Sequence, residues 1–339
     1  MQGYKKIIQK FSSGNILVIG DLILDEFIWG DVDRISPEAP VPVVWAKRRS
    51  YMPGGAANVA NNIKSLGGNV SVIGVVGKDH NARVLVSELK NKGIDTRNIV
   101  VEKSRHTTLK TRIIAGHQQV VRVDWEHRDT INGRLNDKII NFVRKNIHKY
   151  DGIIIEDYGK GLINAAILSE IISFARENQK VITVDPKEEH FIYYEGVTCI
   201  TPNRKEAENA VRNIKIKDTE NRFKINYDRL TSDKDIELAG KEIMKYLGLE
   251  SLLITLGEQG MCLFEDNGKI THIPTVAQEV FDVSGAGDTV IGTFTLALSV
   301  GANKLQAAKI ANFAAGIVVG KMGVAVTNQK ELIERMKSK

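Results

Sequence analysis

The run Phe281-Asp282-Val283-Ser284-Gly285-Ala286-Gly287-Asp288-Thr289 sets small residues and two carboxylates just ahead of the apolar run Val290-Ile291-Gly292-Thr293-Phe294. Glycine at a helix start lets backbone N–H groups close on an anion, and the helix dipole favours negative charge there. A carboxylate in the first turn can reach the atom that attacks the anion. The chemistry suggested is phosphoryl transfer, with Gly285, Ala286 and Gly287 as an anion hole and Asp288 as the base. Taken alone, a tight glycine turn capped by Asp explains the string equally well.

The common nucleotide signatures do not account for it. A P-loop needs G-x-x-x-x-G-K-[ST], and a dinucleotide fold needs G-x-G-x-x-G after an early strand. Gly74-Val75-Val76-Gly77-Lys78-Asp79 has Gly-Lys without the spacing or the hydroxyl. Gly285-x-Gly287 is followed by Val290 where the third glycine should stand.

Three further strings bear polar groups on turns or helix starts. In Gly54-Gly55-Ala56-Ala57-Asn58, two glycines precede a helix whose first turn carries Asn58, able to donate to and accept from hydroxyls. An Ala-rich helix start is the plain alternative. In Thr201-Pro202-Asn203-Arg204-Lys205-Glu206, Asn203 and Glu206 share a helix face. Their oxygens suit hydrated Mg²⁺, and the same spacing makes a capping box; spacing does not separate the two. In Leu253-Ile254-Thr255-Leu256-Gly257-Glu258-Gln259-Gly260 a strand runs into a glycine turn, as at a nucleotide edge.

Elements must bring these strings together. β-branched runs at 15–20, 70–76, 152–156, 181–185 and 252–256 read as strands, with helical patterns near 133–148, 163–178 and 234–247. Apolar strands alternating with helices predict a parallel sheet covered on both faces, with ligands beyond the carboxyl ends of its strands. Those ends carry Gly20-Asp21, Glu156-Asp157, Asp185-Pro186-Lys187 and Thr201-Pro202-Asn203, expected to converge on one crevice. Residues 26–53 and 107–124 break the rhythm. Their period-two alternation predicts antiparallel strands in a small separate β-layer, a lid or a dimer surface. Residues 212–235 read as a charged surface insertion, and the last third as mainly helical.

Composition excludes more than it names. A hydrophobic fraction of 42% can fill a core, and 6% aromatic residues fit poorly with a nucleic-acid stacking surface. The net charge of +6 suits phosphorylated substrates, and Lys47-Arg48-Arg49, the densest basic cluster, reads as a solvated strand end. Cys199 and Cys262 read as buried thiols, and the 7 histidines show no metal-ligand spacing. Residues 1–10 lack a signal core and Ile16–Ile19 is too short to span a membrane, so a reducing, cytoplasmic setting is expected.

All four strings occur together, in this order, in the ribokinase-like (PfkB-type) carbohydrate kinases, which the chain resembles over nearly its whole length. Asp282, Gly285, Ala286, Gly287 and Asp288 match that family's Asp-x-x-Gly-Ala-Gly-Asp. Gly54, Gly55 and Asn58 match its Gly-Gly-x-x-Asn, and Asn203 and Glu206 its Asn-x-x-Glu. Within the family, Arg34-Ile35-Ser36-Pro37-Glu38-Ala39-Pro40-Val41-Pro42-Val43 resembles the lid strand of D-glycero-β-D-manno-heptose-7-phosphate kinases. So do Asp157-Tyr158-Gly159-Lys160-Gly161, Asp185-Pro186-Lys187, Pro274-Thr275-x-Ala277-Gln278-Glu279-Val280 and Val318-Val319-Gly320-Lys321-x-Gly323.

The resemblance implies one ribokinase-like three-layer α/β/α domain over 1–339, with a mostly parallel central sheet and a small β-sheet lid. It implies transfer of the γ-phosphoryl of ATP, with Mg²⁺, to the anomeric C1 hydroxyl of heptose 7-phosphate, in ADP-heptose and lipopolysaccharide core synthesis. Asp25 and Asn58, with Gly54, Gly55 and Asp21 beside them, would meet the sugar. Arg34, Lys110, Arg112, Arg122, Lys160 and Lys187 form the pool for its 7-phosphate. Asn203, Thr255, Gly257, Gly260 and Asn312 would line the nucleotide side, Asn312 being also readable as a satisfied core residue. Glu206 and Asn203 would hold Mg²⁺ through water, and Asp282 a monovalent cation such as K⁺. The β-layer lid also leads to the expectation of a homodimer through it. Many relatives are fused to an adenylyltransferase with a His-x-Gly-His motif; nothing here matches it, so the kinase alone is expected, with a separate adenylyltransferase downstream. No nucleic-acid or membrane partner is expected. The rivals are a kinase of this fold for another sugar or sugar phosphate, such as ribose or a fructose phosphate, and a non-catalytic sugar- or nucleotide-binding module. The presence of both Asp282 and Asp288 argues against the last, since a binder needs no base.

Overall fold

The computed structural model describes residues 2–338 apart from 117, 226 and 278. Helix α1 (Gln2–Gln9) leads into β1 (Asn15–Gly20), followed by the long strands β2 (Leu22–Ile35) and β3 (Pro42–Gly55). Next come α2 (Ala56–Ser65), β4 (Asn69–Val76), α3 (His80–Asn91) and β5 (Asp95–Val101). A hairpin, β6 (Thr108–Ala115) and β7 (Gln118–Trp125), precedes α4 (Gly133–Asn146), β8 (Gly152–Glu156), α5 (Ala165–Glu177) and β9 (Val181–Asp185). The rest runs β10 (Cys199–Ile200), α6 (Arg204–Lys217), α7 (Asp233–Leu247), β11 (Ser251–Thr255), β12 (Met261–Glu265), β13 (Ile270–Ile273), α8 (Ala286–Ser299), α9 (Lys304–Val318) and α10 (Gln329–Lys337).

Nine strands form the main sheet in the order β13-β12-β11-β10-β9-β8-β1-β4-β5, parallel except where β12 runs against β11 and β13. Strand side chains alternate between faces. Ile16 and Val18 of β1 pack with Val59 of α2, Phe294 of α8 and Ala311 of α9. Leu17 and Ile19 pack on the other face with Val143 of α4 and Ile171 of α5. Both faces are covered, which is why β1 reads as an unbroken apolar run. The chain leaves β1 for β4 on one side and returns through β8 on the other. Such a reversal of strand order opens a crevice at the carboxyl ends, where Asp21 and Asp157 follow β1 and β8.

The second sheet has the order β3-β2-β6-β7. The expectation of antiparallel pairing holds for β2 with β3 and for β6 with β7, whereas β2 and β6 run parallel. Two hairpins joined edge to edge leave period-two alternation unchanged, so the sequence pattern cannot report that join. Strand β2 starts one residue after β1, so this sheet grows out of the crevice edge. Its basic cluster is locally matched: Lys47 pairs with Asp31, Arg49 with Glu26, and Arg48 lies over the Trp29 ring.

The charged segment 212–235 is corrected. Residues 212–217 finish α6, 233–235 begin α7, and Phe223, Ile225 and Leu230 between them are buried in the core. Their spacing fits neither helix nor strand because the backbone there is irregular. Cys199 and Cys262 are free and buried, and burial pushes each thiol up to about 12. Among the described residues, no helix is long and apolar enough to cross a membrane.

Candidate active site

Gly285 caps α8 with φ +77°, and a β-carbon there would fall 2.7 Å from Asn58 Nδ2. Glycine therefore meets a left-handed backbone and a close approach at one position. Of the expected anion-hole donors, the Ala286 N–H is taken by Val283 O at 3.2 Å. The N–H groups of Gly285, Gly287 and Asp288 bond nothing among the described residues, so the dipole end of α8 presents those donors. Asp288 is buried. Asn58 Nδ2 donates to its Oδ2 at 2.6 Å, and the Tyr158 hydroxyl to its Oδ1 at 3.1 Å. Burial pushes the Asp288 carboxyl up to about 6, against the pull of those two donors.

Asn58 was expected on sugar hydroxyls; in the fold its amide N–H faces Asp288, the expected base. The contact follows from α2 packing on α8. Asn62 Nδ2 donates to Asn58 O at 3.0 Å, and the Thr289 hydroxyl donates to Asn62 Oδ1 at 2.9 Å. Gly54 and Gly55 permit this entry. A β-carbon on Gly54 would meet Asp25 Oδ2 at 2.3 Å, and Gly55 has φ +55°. Asp25 is buried, ion-paired to Arg112, and close enough to Asp288 for its charge to raise that carboxyl.

Asp21 is a correction. Its carboxylate accepts the backbone N–H groups of Tyr158 (2.9 Å), Lys160 (3.0 Å) and Leu162 (3.4 Å). It therefore pins the loop after β8 and is taken up by backbone, not left for sugar. Burial, then the charge of Asp157, pushes it up to about 6. Asp157 anchors the same loop from the other side, accepting from the Tyr194 hydroxyl at 2.8 Å and lying 2.6 Å from His190 Nδ1.

An acidic cluster completes the crevice floor. Glu156 ends β8 and Asp185 ends β9, and the two are register partners. One carboxylate oxygen from each of Glu156, Asp185 and Asp288 lies within 4.8 Å of the others. Glu156 is fully buried, and neither of its oxygens has a donor among the described residues. Burial first, then neighbouring negative charge, drives Glu156 and Asp185 well above the usual carboxylate range. Asp185 accepts one long hydrogen bond, from the Thr201 hydroxyl at 3.5 Å, whereas the buried, donorless Glu156 beside it calls for a shared proton or a cation. The orphaned oxygens of Glu156 fit a hard divalent cation, which binds through few carboxylates and water. With Asp288 held by Asn58 and Tyr158, Glu156 and Asp185 are the side chains placed to take it. Sequence reasoning assigned neither a metal role, nor Tyr158 any role; the available signal was acid at two strand ends that pair in register.

Residues 14–331 match the family model described as "pfkB family carbohydrate kinase". The chain belongs to the pfkB family of carbohydrate kinases. It is thus a sugar kinase, a phosphotransferase. It is 47% identical over 320 residues to "Bifunctional protein HldE" of Aliarcobacter butzleri, covering 94% of this chain and 64% of that protein. With the protein of that name from Trichlorobacter lovleyi it shares 42% over 329 residues, covering 97% and 64%. The chain thus spans just under two thirds of these relatives. The fold is shared with Arabidopsis thaliana ribokinase solved with ribose and ATP (TM-score 0.73, 17% identity, 96% of this chain and 99% of that). It is shared too with Escherichia coli phosphofructokinase-2 solved with potassium (TM-score 0.76, 19% identity, 96% and 98%).

Elsewhere in this pfkB kinase, the structure sorts the remaining residues. Asn203 and Glu206 form a reciprocal capping box: Glu206 N–H donates to Asn203 Oδ1 at 3.0 Å, and Asn203 N–H to Glu206 Oε2 at 2.7 Å. Glu206 still lies beside the acidic cluster, its charge helping to raise Asp185. Thr255 N–H donates to Pro202 O at 2.9 Å, which sets the end of β11 beside Asn203. Gly260, at φ +91°, closes that turn where a β-carbon would meet Ile273 O at 2.1 Å, and Gly257 has φ +60°. Asn312 resolves as a core residue, its Nδ2 donating to Pro274 O at 2.8 Å. Asp282 Oδ1 accepts from Ser284 N–H at 2.8 Å, shaping the loop into α8. In the cation pool, Arg112 is paired with Asp25 and Arg122 with Asp124, while Arg34 is exposed near the far end of β2. Lys187 lies near Glu206, and Lys110 and Lys160 flank Tyr158. Gln278, part of one quoted motif, lies outside the described residues.

Proposed function

We propose that this kinase moves the γ-phosphoryl of ATP onto the anomeric C1 hydroxyl of D-glycero-β-D-manno-heptose 7-phosphate, giving the 1,7-bisphosphate. The observation that carries the reading is Asp288: a buried carboxylate at a helix N-terminus, held through both oxygens. Each oxygen keeps a lone pair beyond the one facing Asn58 or Tyr158, so a sugar hydroxyl can donate there. A carboxyl near 6 is largely ionised at neutral pH and well matched to an acidic anomeric hydroxyl. As the hydroxyl oxygen bonds to phosphorus, the bond from that phosphorus to the β,γ-bridging oxygen breaks, ADP leaves with the electron pair, and Asp288 takes the hydroxyl proton. The free N–H groups at the start of α8 face the charge that develops on the phosphoryl oxygens, already oriented. Asp25 receives sugar hydroxyls beside the base. Glu156 and Asp185, with Glu206 beside them, would hold Mg²⁺, which would supply positive charge to neutralise the phosphates. Thr255, Gly257 and Gly260 border the adenine side, and Asp282 would hold a monovalent cation such as K⁺.

The narrower substrate is supported by the motifs around Arg34–Val43 and Asp157–Gly161 and by high identity along nearly the whole chain to the relatives above. The same reading places the kinase in ADP-heptose and lipopolysaccharide core synthesis in the cytoplasm, with an adenylyltransferase, fused or separate, acting next. The four-stranded sheet acts as a lid over the crevice and pairs two copies. Exposed Trp45, Trp125, Ile35 and Val121 on that sheet support the pairing.

The test is an ATP–Mg²⁺ assay across heptose 7-phosphate, fructose 6-phosphate, ribose and fructose. The highest kcat/KM is expected for heptose 7-phosphate. Preference for a neutral sugar overturns the substrate and leaves the sugar kinase standing.

A further inference from the structure

Lys110 stands on β6 between Asp25 of β2 and Asp124 of β7 as register partners. Neither carboxylate pairs with it, since Asp25 holds Arg112 and Asp124 holds Arg122. Among the described residues its ammonium forms no hydrogen bond or ion pair; it stands over the Tyr158 ring, 5.6 Å from the centroid. Lys160 reaches the same place from the loop after β8. Its side chain is 11% exposed, with Nζ 2.7 Å from Glu126 Oε2. That loop is rigidly held: Asp21 accepts the Lys160 N–H, and Arg105 Nη1 donates to Lys160 O at 3.0 Å.

Two ammonium groups are therefore fixed near one another, and only Lys160 has a carboxylate in contact; Asp124, Asp25 and Glu126 act on Lys110 from a distance. Burial, then the Lys160 charge, holds the Lys110 ammonium below the usual lysine range. Such an arrangement is unfavourable until an anion enters. Tyr158 gives the direction. Its hydroxyl touches Asp288 and its ring lies under Lys110, so base and ammonium are separated by about the reach of a phenol, the scale of a sugar ring. An acceptor with its reacting hydroxyl on Asp288 would put its far end between the lysines.

We propose that Lys110 and Lys160 clamp the phosphate monoester of the acceptor sugar, with the Tyr158 ring as the floor beneath Lys110. The clamp rests on the reading that the acceptor is a sugar phosphate. It selects two members of the six-residue cation pool. Arg112 is set aside because its partner Asp25 lies at the base end of the site, Arg122 because its side chain is half exposed, Arg34 by its exposed place, and Lys187 by its position near Glu206.

The test is calorimetric binding without turnover. Heptose 7-phosphate, unphosphorylated heptose and ATP are each titrated into the wild type, Lys110→Met and Lys160→Met. Lys110→Met removes an unpaired, partly buried charge, and Lys160→Met leaves Glu126 with Arg128, so both variants are expected to fold; thermal melts check this. Lys160→Arg, which keeps the charge, should retain most of the binding. Each Met variant is expected to weaken heptose 7-phosphate binding at least tenfold and to leave heptose and ATP within twofold of the wild type. Unchanged sugar-phosphate binding in both Met variants overturns the clamp. Selective loss of ATP binding also overturns it, moving the lysines to the nucleotide phosphates. A wild type that binds heptose as tightly as heptose 7-phosphate overturns the sugar-phosphate reading beneath it.

Discussion

Replacing Asp288 by Asn should make the protein more stable and nearly inactive, and the two effects test separate parts of the mechanism. Asn keeps the shape. Its Oδ1 can accept from Asn58 Nδ2, and its Nδ2 can donate to the Tyr158 oxygen once that hydroxyl rotates. What disappears is the cost of a buried charge. A rise from the ordinary 3.8 to about 6 corresponds to roughly 3 kcal/mol. The raised value means the folded state favours the protonated form. That contribution is complete below pH 3.8 and is lost as pH rises through about 6. Asn suffers no such loss, so its advantage over Asp should grow by roughly 2–3 kcal/mol between pH 4 and 8. Urea unfolding followed by tryptophan fluorescence, without Mg²⁺, measures the gap at each pH. A gap that stays constant with pH refutes the buried, raised carboxylate. The same variant should lose about 10²- to 10⁴-fold in kcat as a lost general base; a kcat within tenfold of wild type removes Asp288 from that role.

Tyr158→Phe takes away a donor that opposes the effect of burial on Asp288, so the carboxyl should rise further. The acid limb of the kcat–pH profile should then move up by about one pH unit, and an unmoved limb counts against the contact. Glu156→Gln should raise the Mg²⁺ concentration for half-maximal activity about tenfold or more while sugar binding by calorimetry is unchanged; an unaltered Mg²⁺ titration detaches Glu156 from the metal. Gly285→Ala combines a left-handed backbone with a β-carbon 2.7 Å from Asn58 Nδ2. It should cost roughly 1–3 kcal/mol of stability and displace Asn58 from Asp288, which a urea midpoint and a kcat measurement read together.

The sequence alone determined the alternation of strand and helix, the phosphate-cradle string before α8, and the absence of P-loop and dinucleotide signatures. These are local: apolar period, glycine at a turn and acid in a first turn are set by a few neighbouring residues. Partnerships across the sheet were decided by the tertiary structure. Asp21 read as a sugar ligand because a strand-end carboxylate looks the same whether it faces a ligand or three amides; only the path of the 157–162 loop decides. Asn58 and Asp288 lie 230 residues apart, and their contact depends on α2 packing against α8. Glu156 looked like the last residue of a buried strand until the register of β8 and β9 set it opposite Asp185. Asn203 and Glu206 carried two meanings at one spacing, and the fold shows the cap while leaving Glu206 beside the cluster. The chemistry of each group was visible in its residue type. Which groups meet depended on sheet order and helix packing, because the long-range contacts that join them leave no mark on local spacing.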